Sequence, residues 1–143
     1  MKHTVAATSL LCALLAAASG WAQENSEIAI PVKKQSGISY LSGGMDEAEK
    51  KAMQKVANKY PMQLVFTGPD PAQELKGVKI TVIDLRKDKI IEAVADGPWF
   101  YFNPPSGRYT MQAEFEGETV ERTVDLVGRR YIVLEFHFKG AGG

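Results

Sequence analysis

The sequence DGPWFYFNPPSGRYTMQAEFEGETVERTVDL, Asp96–Leu126, decides the fold class of this chain. Polar and apolar residues alternate from Arg108 to Phe115, which is the period-two pattern of a strand with one buried face. The turn-forming sequence NPPSG precedes this strand, and Glu116-Gly117 follows it. The stretch therefore predicts strand, turn, strand, turn, strand.

The chain from Met62 onward keeps the same strand-like period. Seven strands are expected, joined by connections rich in Gly, Pro and Asp: Met62–Thr67, Val78–Leu85, Ile90–Ala95, Trp99–Phe102, Arg108–Phe115, Glu118–Leu126 and Tyr131–Lys139. Seven short strands with such connections predict a mainly β fold, a seven-stranded antiparallel β-sandwich over residues 62–139. One residue conflicts with this pattern, because Arg122 shares a face with the apolar Val120 and Val124. Either Arg122 lies near an edge and extends to solvent, or a bulge shifts the register, and the pattern leaves both open.

One amphipathic α-helix is expected before the sandwich, over Met45–Tyr60. Acidic residues crowd its first turns and lysines follow, which suits the helix dipole. Apolar residues recur at helical spacing, so this face is expected to cover a sheet. We assign residues 37–61 to a short strand and this helix, and residues 23–36 to a linker or extended arm. In that arm, the run Ile28–Val32 is a candidate edge strand.

The first 22 residues are typical of a signal peptide. Lys2 precedes an apolar run, Val5–Ala18, that is too short to span a bilayer, and Gly20-Trp21-Ala22 fits a cleavage site after Ala22. We therefore expect a periplasmic or secreted protein, with residues 140–143 as a flexible tail. Removing Lys2 leaves 16 basic residues against 17 acidic ones, a net charge of −1, which argues against nonspecific nucleic-acid binding. The single cysteine, Cys12, is removed too, so no disulfide is expected.

The sequence PSGRYTM, Pro105–Met111, resembles the Pro-x-Gly-x-Tyr-x-apolar motif of carboxypeptidase regulatory-like domains. These domains are small transthyretin-like, or Cna-B-like, seven-stranded sandwiches. The arrangement of Gly37–Lys139 resembles small exported bacterial proteins that carry this domain. Ser106 is a departure, because such proteins often have proline directly before the glycine. The resemblance implies an accessory or interaction domain, with no catalytic residues to carry over.

The sequence offers little to a catalytic or metal site. His137 is the only histidine after residue 22, and zinc sites use several His or Cys ligands. No nucleophile-elbow sequence accompanies it. We expect no enzyme activity, no cofactor and no metal.

The candidate interaction surface combines an aromatic strand with a basic end. Four consecutive aromatics, Trp99–Phe102, must occupy both faces of one strand, so one face meets the sandwich core and the other meets the helix, the arm or a partner. Alternate connections of an antiparallel sandwich lie at one end, which places Arg86, Lys87, Lys89, Arg108, Arg129 and Arg130 together. The opposite end collects Asp70, Glu74, Asp96, Glu116 and Glu118. The basic end either orients the domain on an anionic partner or is simply solvated.

These observations predict a non-enzymatic module that binds another envelope or secreted protein. Its candidate surface residues are Trp99, Tyr101, Arg86, Lys87, Arg129 and Arg130. The alternative is a small-ligand or carbohydrate-binding module that uses Trp99 and Tyr101 as a stacking platform. No nucleic-acid partner and no transmembrane segment are expected in the chain after residue 22, and the oligomeric state is left open.

Overall fold

A computed structural model describes residues 28–70, 75–128 and 130–140 of the chain. The predicted signal peptide, residues 1–22, lies outside the described residues, as do Glu74, Arg129 and residues 141–143 of the tail. The described chain is mainly β, with one α-helix and nine strands. The elements in order are β1 Lys33–Gln35, β2 Ile38–Gly43, α1 Glu47–Val56, β3 Met62–Thr67, β4 Lys79–Ile83, β5 Lys89–Val94, β6 Trp99–Phe102, β7 Gly107–Phe115, β8 Glu118–Leu126 and β9 Ile132–His137. No helix within these ranges is long and apolar enough to cross a membrane.

The nine strands form two sheets. The five-stranded sheet has the order β1-β2-β6-β3-β9, and the four-stranded sheet has the order β5-β4-β7-β8. The sandwich prediction of seven strands is therefore two short, because β1 and β2 join the edge of the first sheet as a hairpin. Strand β2 is the short strand expected within residues 37–61. The candidate edge strand Ile28–Val32 is not a strand, and β1 forms just after it, at the end of the predicted arm. The prediction of a wholly antiparallel arrangement is also wrong for one pair. β9 returns beside β3 and runs parallel to it, from Met62 opposite Ile132 to Thr67 opposite His137.

The two sheets share one hydrophobic core. Alternate side chains of both sheets enter it, including Leu64, Phe66, Phe100, Phe102 and Phe136 from the five-stranded sheet and Ile80, Val82, Tyr109, Met111 and Ala113 from the four-stranded sheet. The alternation predicted for β7 is confirmed, since Tyr109, Met111 and Ala113 are buried while Arg108 and Glu114 are exposed. The period-two pattern thus places one face of β7 on this core.

Arg122 lies on β8, the edge strand of the four-stranded sheet. Its guanidinium carbon is 6.0 Å from the centroid of the Phe136 ring, while the residue as a whole is exposed. The pairing of β8 with β7 has no register shift between its first pair, Gly107 with Leu126, and its last pair, Phe115 with Glu118. The edge interpretation of Arg122 is therefore confirmed, and the side chain covers the rim of the core while its charge stays in water.

The side chain of Gln35 closes the flank between β1 and β5. Its Nε2 donates to the Glu92 carbonyl at 2.8 Å, and its Oε1 accepts from the Glu92 N–H at 2.9 Å. The same Nε2 also donates to the Tyr40 hydroxyl at 2.7 Å. A side-chain amide thus occupies backbone groups of β5 that another strand would otherwise bind.

Helix α1 is shorter than the predicted Met45–Tyr60, because a single turn of 3-10 helix, Ala57–Lys59, continues it. Asp46 caps its N-terminus by accepting a hydrogen bond from the Glu49 N–H at 2.8 Å. The Glu49 carboxylate in turn accepts from the backbone N–H groups of Gly44 and Met45, at 3.0 and 2.9 Å. The Asp46 bond satisfies a donor that the first turn of a helix leaves free, and the Glu49 bonds hold the two residues before the N-cap against the helix.

We expect Asp46→Ala to lower the free energy of unfolding by about 1 kcal/mol, because it removes this cap. Glu47→Ala is the matched control, since Glu47 also lies in the first turn but makes only a 4.0 Å ion pair with Lys50. Urea unfolding of both variants measures the difference. Equal stability of the two variants would show that the cap contributes nothing to the fold.

Candidate interaction surfaces

The four aromatic side chains of strand β6 pack in two different hydrophobic clusters, one on each face of the strand. Phe100 and Phe102 enter the core between the sheets, where the Phe100 ring stacks on Tyr40 with centroids 5.5 Å apart. Trp99 and Tyr101 occupy the outer face of the five-stranded sheet, with rings 6.3 Å apart and nearly parallel. Tyr101 belongs to a second buried cluster with Leu41, Met53 and Tyr60, beneath α1. The expectation that the helix covers one aromatic face is confirmed for Tyr101.

The environments of Trp99 and Tyr101 differ in solvent access. Tyr101 is only 5% exposed, and burial raises the pKa of its hydroxyl. Trp99 is half-buried at the margin of the helix, and its indole packs on the backbone of Gly44. Gly44 has φ +96°, and a Cβ there would meet the indole at 3.2 Å. The structure therefore leaves part of one ring open and encloses the other.

The basic residues predicted for one end of the domain do lie at that end, where described. Arg86 and Lys87 are exposed in the β4–β5 turn. The Asp84 carboxylate shapes this turn by accepting from the N–H groups of Arg86 and Asp88, at 2.9 and 3.0 Å. Lys87 has φ +75°, a conformation that such a tight turn imposes. Arg129 is outside the described residues, and its neighbour Arg130 is exposed.

The predicted basic residues do not form one patch. The β4–β5 turn and the connection after β8 lie at opposite sides of the four-stranded sheet, with β7 between β4 and β8. The loop Asn103–Ser106 separates them, and it borders two shallow clefts of about 370 and 360 Å³. Arg86 and Lys87 on one side and Arg130 on the other are therefore separate charges at the same end.

Arg108 is paired with an acidic side chain on the neighbouring strand. Its Nε donates to Asp125 Oδ1 at 2.7 Å, and its Nη2 donates to Asp125 Oδ2 at 3.2 Å. The same outer face has a second cross-strand side-chain pair, in which the hydroxyls of Thr110 and Thr123 are hydrogen-bonded at 2.9 Å. The outer face of β7 and β8 is thus polar and internally paired, which leaves less charge for a partner.

The hydrogen bonds from Arg108 hold the pKa of the Asp125 carboxyl below its ordinary value of 3.8. Because the folded pKa is lowered, the pair stabilises the fold above about pH 4, and this contribution is lost as the pH falls through the lowered pKa. We expect Arg108→Ala to move the titration of Asp125 upward, toward 3.8. Carbon-detected NMR of the Asp125 carboxyl against pH measures this. An identical midpoint in both proteins would contradict the pairing.

His137 lies on the outer face of β9, with its Nδ1 3.0 Å from the hydroxyl of Thr67. It is exposed. In the described ranges no group of three or more His, Cys, Asp or Glu residues is placed to hold a metal ion. The contact that His137 makes is the cross-strand pair expected from the β3–β9 register.

The outer face of the five-stranded sheet has an open half that sequence reasoning did not identify. Helix α1 covers β2 and β6, while the face of β3 and β9 carries Val65, Val133 and Glu135. Val133 is 62% exposed, and Tyr131, just before β9, is 56% exposed with its hydroxyl bonded to the Asn58 carbonyl at 2.6 Å. We call this set the open face: Val65, Trp99, Tyr131, Val133 and Glu135. The alternation in β9 indicates that Val133 points outward, but the sequence does not reveal that the described part of the chain leaves it exposed.

Comparison with known proteins does not place the chain in a family. A scan against protein-family models found no match, and a search among curated proteins found no similar sequence. The resemblance to carboxypeptidase regulatory-like domains therefore stays a prediction.

Proposed function

We propose that this chain is an exported, non-enzymatic β-sandwich module of the transthyretin-like type, and that it binds another envelope or secreted protein through the open face. The single observation that carries the proposal is the exposed apolar surface on and just before edge strand β9, centred on Val133 and Tyr131. Clusters of exposed apolar and aromatic side chains with charged neighbours are typical of protein-binding surfaces. Glu135 lies beside Val133 on the same strand face and supplies such a charge.

The sandwich assignment is supported by two sheets that share one core. The motif Pro105–Met111 supports the transthyretin-like type within that class, and the signal-like residues 1–22 support export. The absence of a catalytic sequence motif is the reason for proposing a binding role.

The carbohydrate-binding alternative has less support from this arrangement. A stacking platform requires two open rings, whereas Tyr101 packs beneath α1 and only Trp99 has an open part. The basic end is retained as a secondary contact, because Arg86, Lys87 and Arg130 are exposed there and form no ion pair with another described residue. A charged rim of this kind mainly speeds association.

A crosslinking pull-down from the native cell envelope tests the proposal, with three baits. The wild-type chain is compared with Val133→Asp, which puts a charge on the open face. Val94→Asp is the matched control, because Val94 lies on β5 of the other sheet and its exposure, 59%, is close to that of Val133. We expect one protein to be captured by wild type and Val94→Asp and lost with Val133→Asp. Equal capture by all three baits, or by none, would contradict binding through the open face.

A further inference from the structure

We propose that the free edge of β9 accepts an extended strand from the partner, with apolar residues at alternate positions and a basic residue opposite Glu135. The proposal rests on the proposed function in one respect, since the occupant is a protein segment. It adds the mode of binding, in which backbone hydrogen bonds extend the five-stranded sheet.

The backbone of β9 directs one set of groups at β3 and the other set at solvent. The Ile132 N–H donates to the Pro61 carbonyl at 2.7 Å, and the Phe138 N–H donates to the Thr67 carbonyl at 2.8 Å. Because backbone groups alternate along a strand, the even-numbered residues bind β3 and Val133, Glu135 and His137 direct their N–H and C=O groups outward. No other strand in the described parts of the chain pairs with β9. The edge therefore offers three donors and three acceptors.

The other three edges are protected in ways that β9 is not. Strand β1 is only three residues long and begins with Lys33 and Lys34. Strand β5 has its central N–H and C=O, those of Glu92, occupied by Gln35. Strand β8 carries the sequence ETVERTVDL, with four charged residues. Strand β9 has neither Lys nor Pro and has one charged residue, Glu135, so it lacks the usual devices against strand addition.

The usable edge has a defined end. The Glu118 carboxylate accepts a hydrogen bond from the Lys139 N–H, at 2.9 Å to Oε1 and 3.1 Å to Oε2. The next outward-facing donor after His137 is therefore occupied. An added strand is limited to about five residues opposite Val133–His137, which matches an ordinary short strand.

The inner side of an added strand would meet a mainly apolar rim, beside which the Arg122 side chain lies over the Phe136 ring. Val120 and Val124 of β8 and Ile132 and Leu134 of β9 are only partly buried at the margin of the core. These side chains lie along the flank where the sheets end in β8 and β9. Apolar residues at the two inward positions of the added strand would cover them, which removes further apolar surface from water.

The charge of Glu135 determines whether the β9 edge pairs better with a second copy of this chain or with a strand of a different protein. Two antiparallel β9 strands that use all three outward residues would pair Val133 with His137 and place Glu135 opposite itself. Like charges directly opposite each other are destabilising, and a shift of two residues loses one of the three pairs. A Lys or Arg opposite Glu135 is instead a favourable cross-strand pair. The edge thus disfavours self-association and fits a partner strand with a central basic residue.

An intramolecular strand tests the edge directly. The segment Thr-Val-Lys-Val-Val is fused through a Gly-Ser linker after Gly143, so that an antiparallel return places its Lys opposite Glu135 and its last Val opposite Val133. Tethering supplies an effective concentration on the order of millimolar. Amide hydrogen exchange by NMR is expected to slow about tenfold or more at Val133, Glu135 and His137, relative to the unfused chain.

A charge exchange supplies the matched controls. Replacing the fused Lys by Glu is expected to reduce this protection about 3- to 10-fold. With Glu135→Lys in the chain, the segment that carries Glu is expected to protect the three amides better than the segment that carries Lys. Unchanged exchange at the three amides would overturn strand addition, and equal protection by both fused segments would overturn the charge rule. Concentration-dependent protection in the unfused chain would assign the edge to a second copy. Any of these results leaves the pull-down at Val133 as a separate test of the proposed function.

Discussion

Tyr109→Ala is expected to lower the free energy of unfolding by about 3 kcal/mol, since it removes an aromatic ring from the shared core. Tyr109 is 5% exposed and belongs to the inward face of β7, beside Met111. Its hydroxyl donates to the Pro105 carbonyl at 2.6 Å, so the ring also ties the Asn103–Ser106 loop to the sheet. The truncation would lose both the buried surface and this bond.

Tyr109→Phe separates these two contributions. It keeps the ring and removes the hydroxyl, so we expect a loss of about 1 kcal/mol. Urea unfolding of both variants gives the two values. If Tyr109→Ala left the midpoint unchanged, the faces of β7 would be assigned the wrong way round, and the core described above would be incorrect.

Gly97→Ala is expected to destabilise the protein by about 2 to 3 kcal/mol, the cost of forcing extra volume into a packed site. A Cβ at Gly97 would overlap the backbone carbonyl of Gly43, at the end of β2. Backbone atoms cannot move aside as a flexible side chain can. Because Gly43 pairs with Trp99, the clash would disturb the join between β2 and β6 where the helix begins to cover the sheet.

Gly107→Ala is the matched control for this prediction. A Cβ at Gly107 would make ordinary contacts with the Tyr109 hydroxyl, at 3.4 Å, and with the Tyr109 ring, at 3.6 Å, and the Gly107 backbone is not in the left-handed region. We expect a change within about 0.5 kcal/mol, as for most surface substitutions. Thermal unfolding compares the two variants, and equal melting temperatures would show that the close approach of Gly97 to β2 is not maintained in solution.

The elements that the sequence predicted well are those with strong local signals. The period-two alternation of Arg108–Phe115 placed the correct face of β7 inside. The acidic start of α1 marked its beginning to within two residues of Glu47. The four aromatics of β6 required two covered faces, and the structure supplies the sheet core for Phe100 and helix α1 for Tyr101. Local patterns sufficed there because each depends on neighbours in sequence.

Strand order and its consequences could not be predicted in the same way. The parallel pairing of β9 with β3 joins residues about 70 positions apart, and no local pattern specifies it. The Gln35–Glu92 contact spans 57 positions and depends on two sheet edges meeting. The exposure of Val133 follows from β9 being an edge strand, which is a property of the whole sheet. The open face therefore emerged only from the assembled structure.

Photocrosslinking from position 133 in the native cell envelope tests whether the open face binds another protein. One variant carries a photoreactive amino acid in place of Val133, and a second variant carries it in place of Val94. These two valines have similar exposure and lie on different sheets. We expect one adduct of defined mass from position 133, with a protein other than this chain, and none from position 94. The same adducts from both positions, no adduct from position 133, or an adduct of twice the mass of this chain would contradict it.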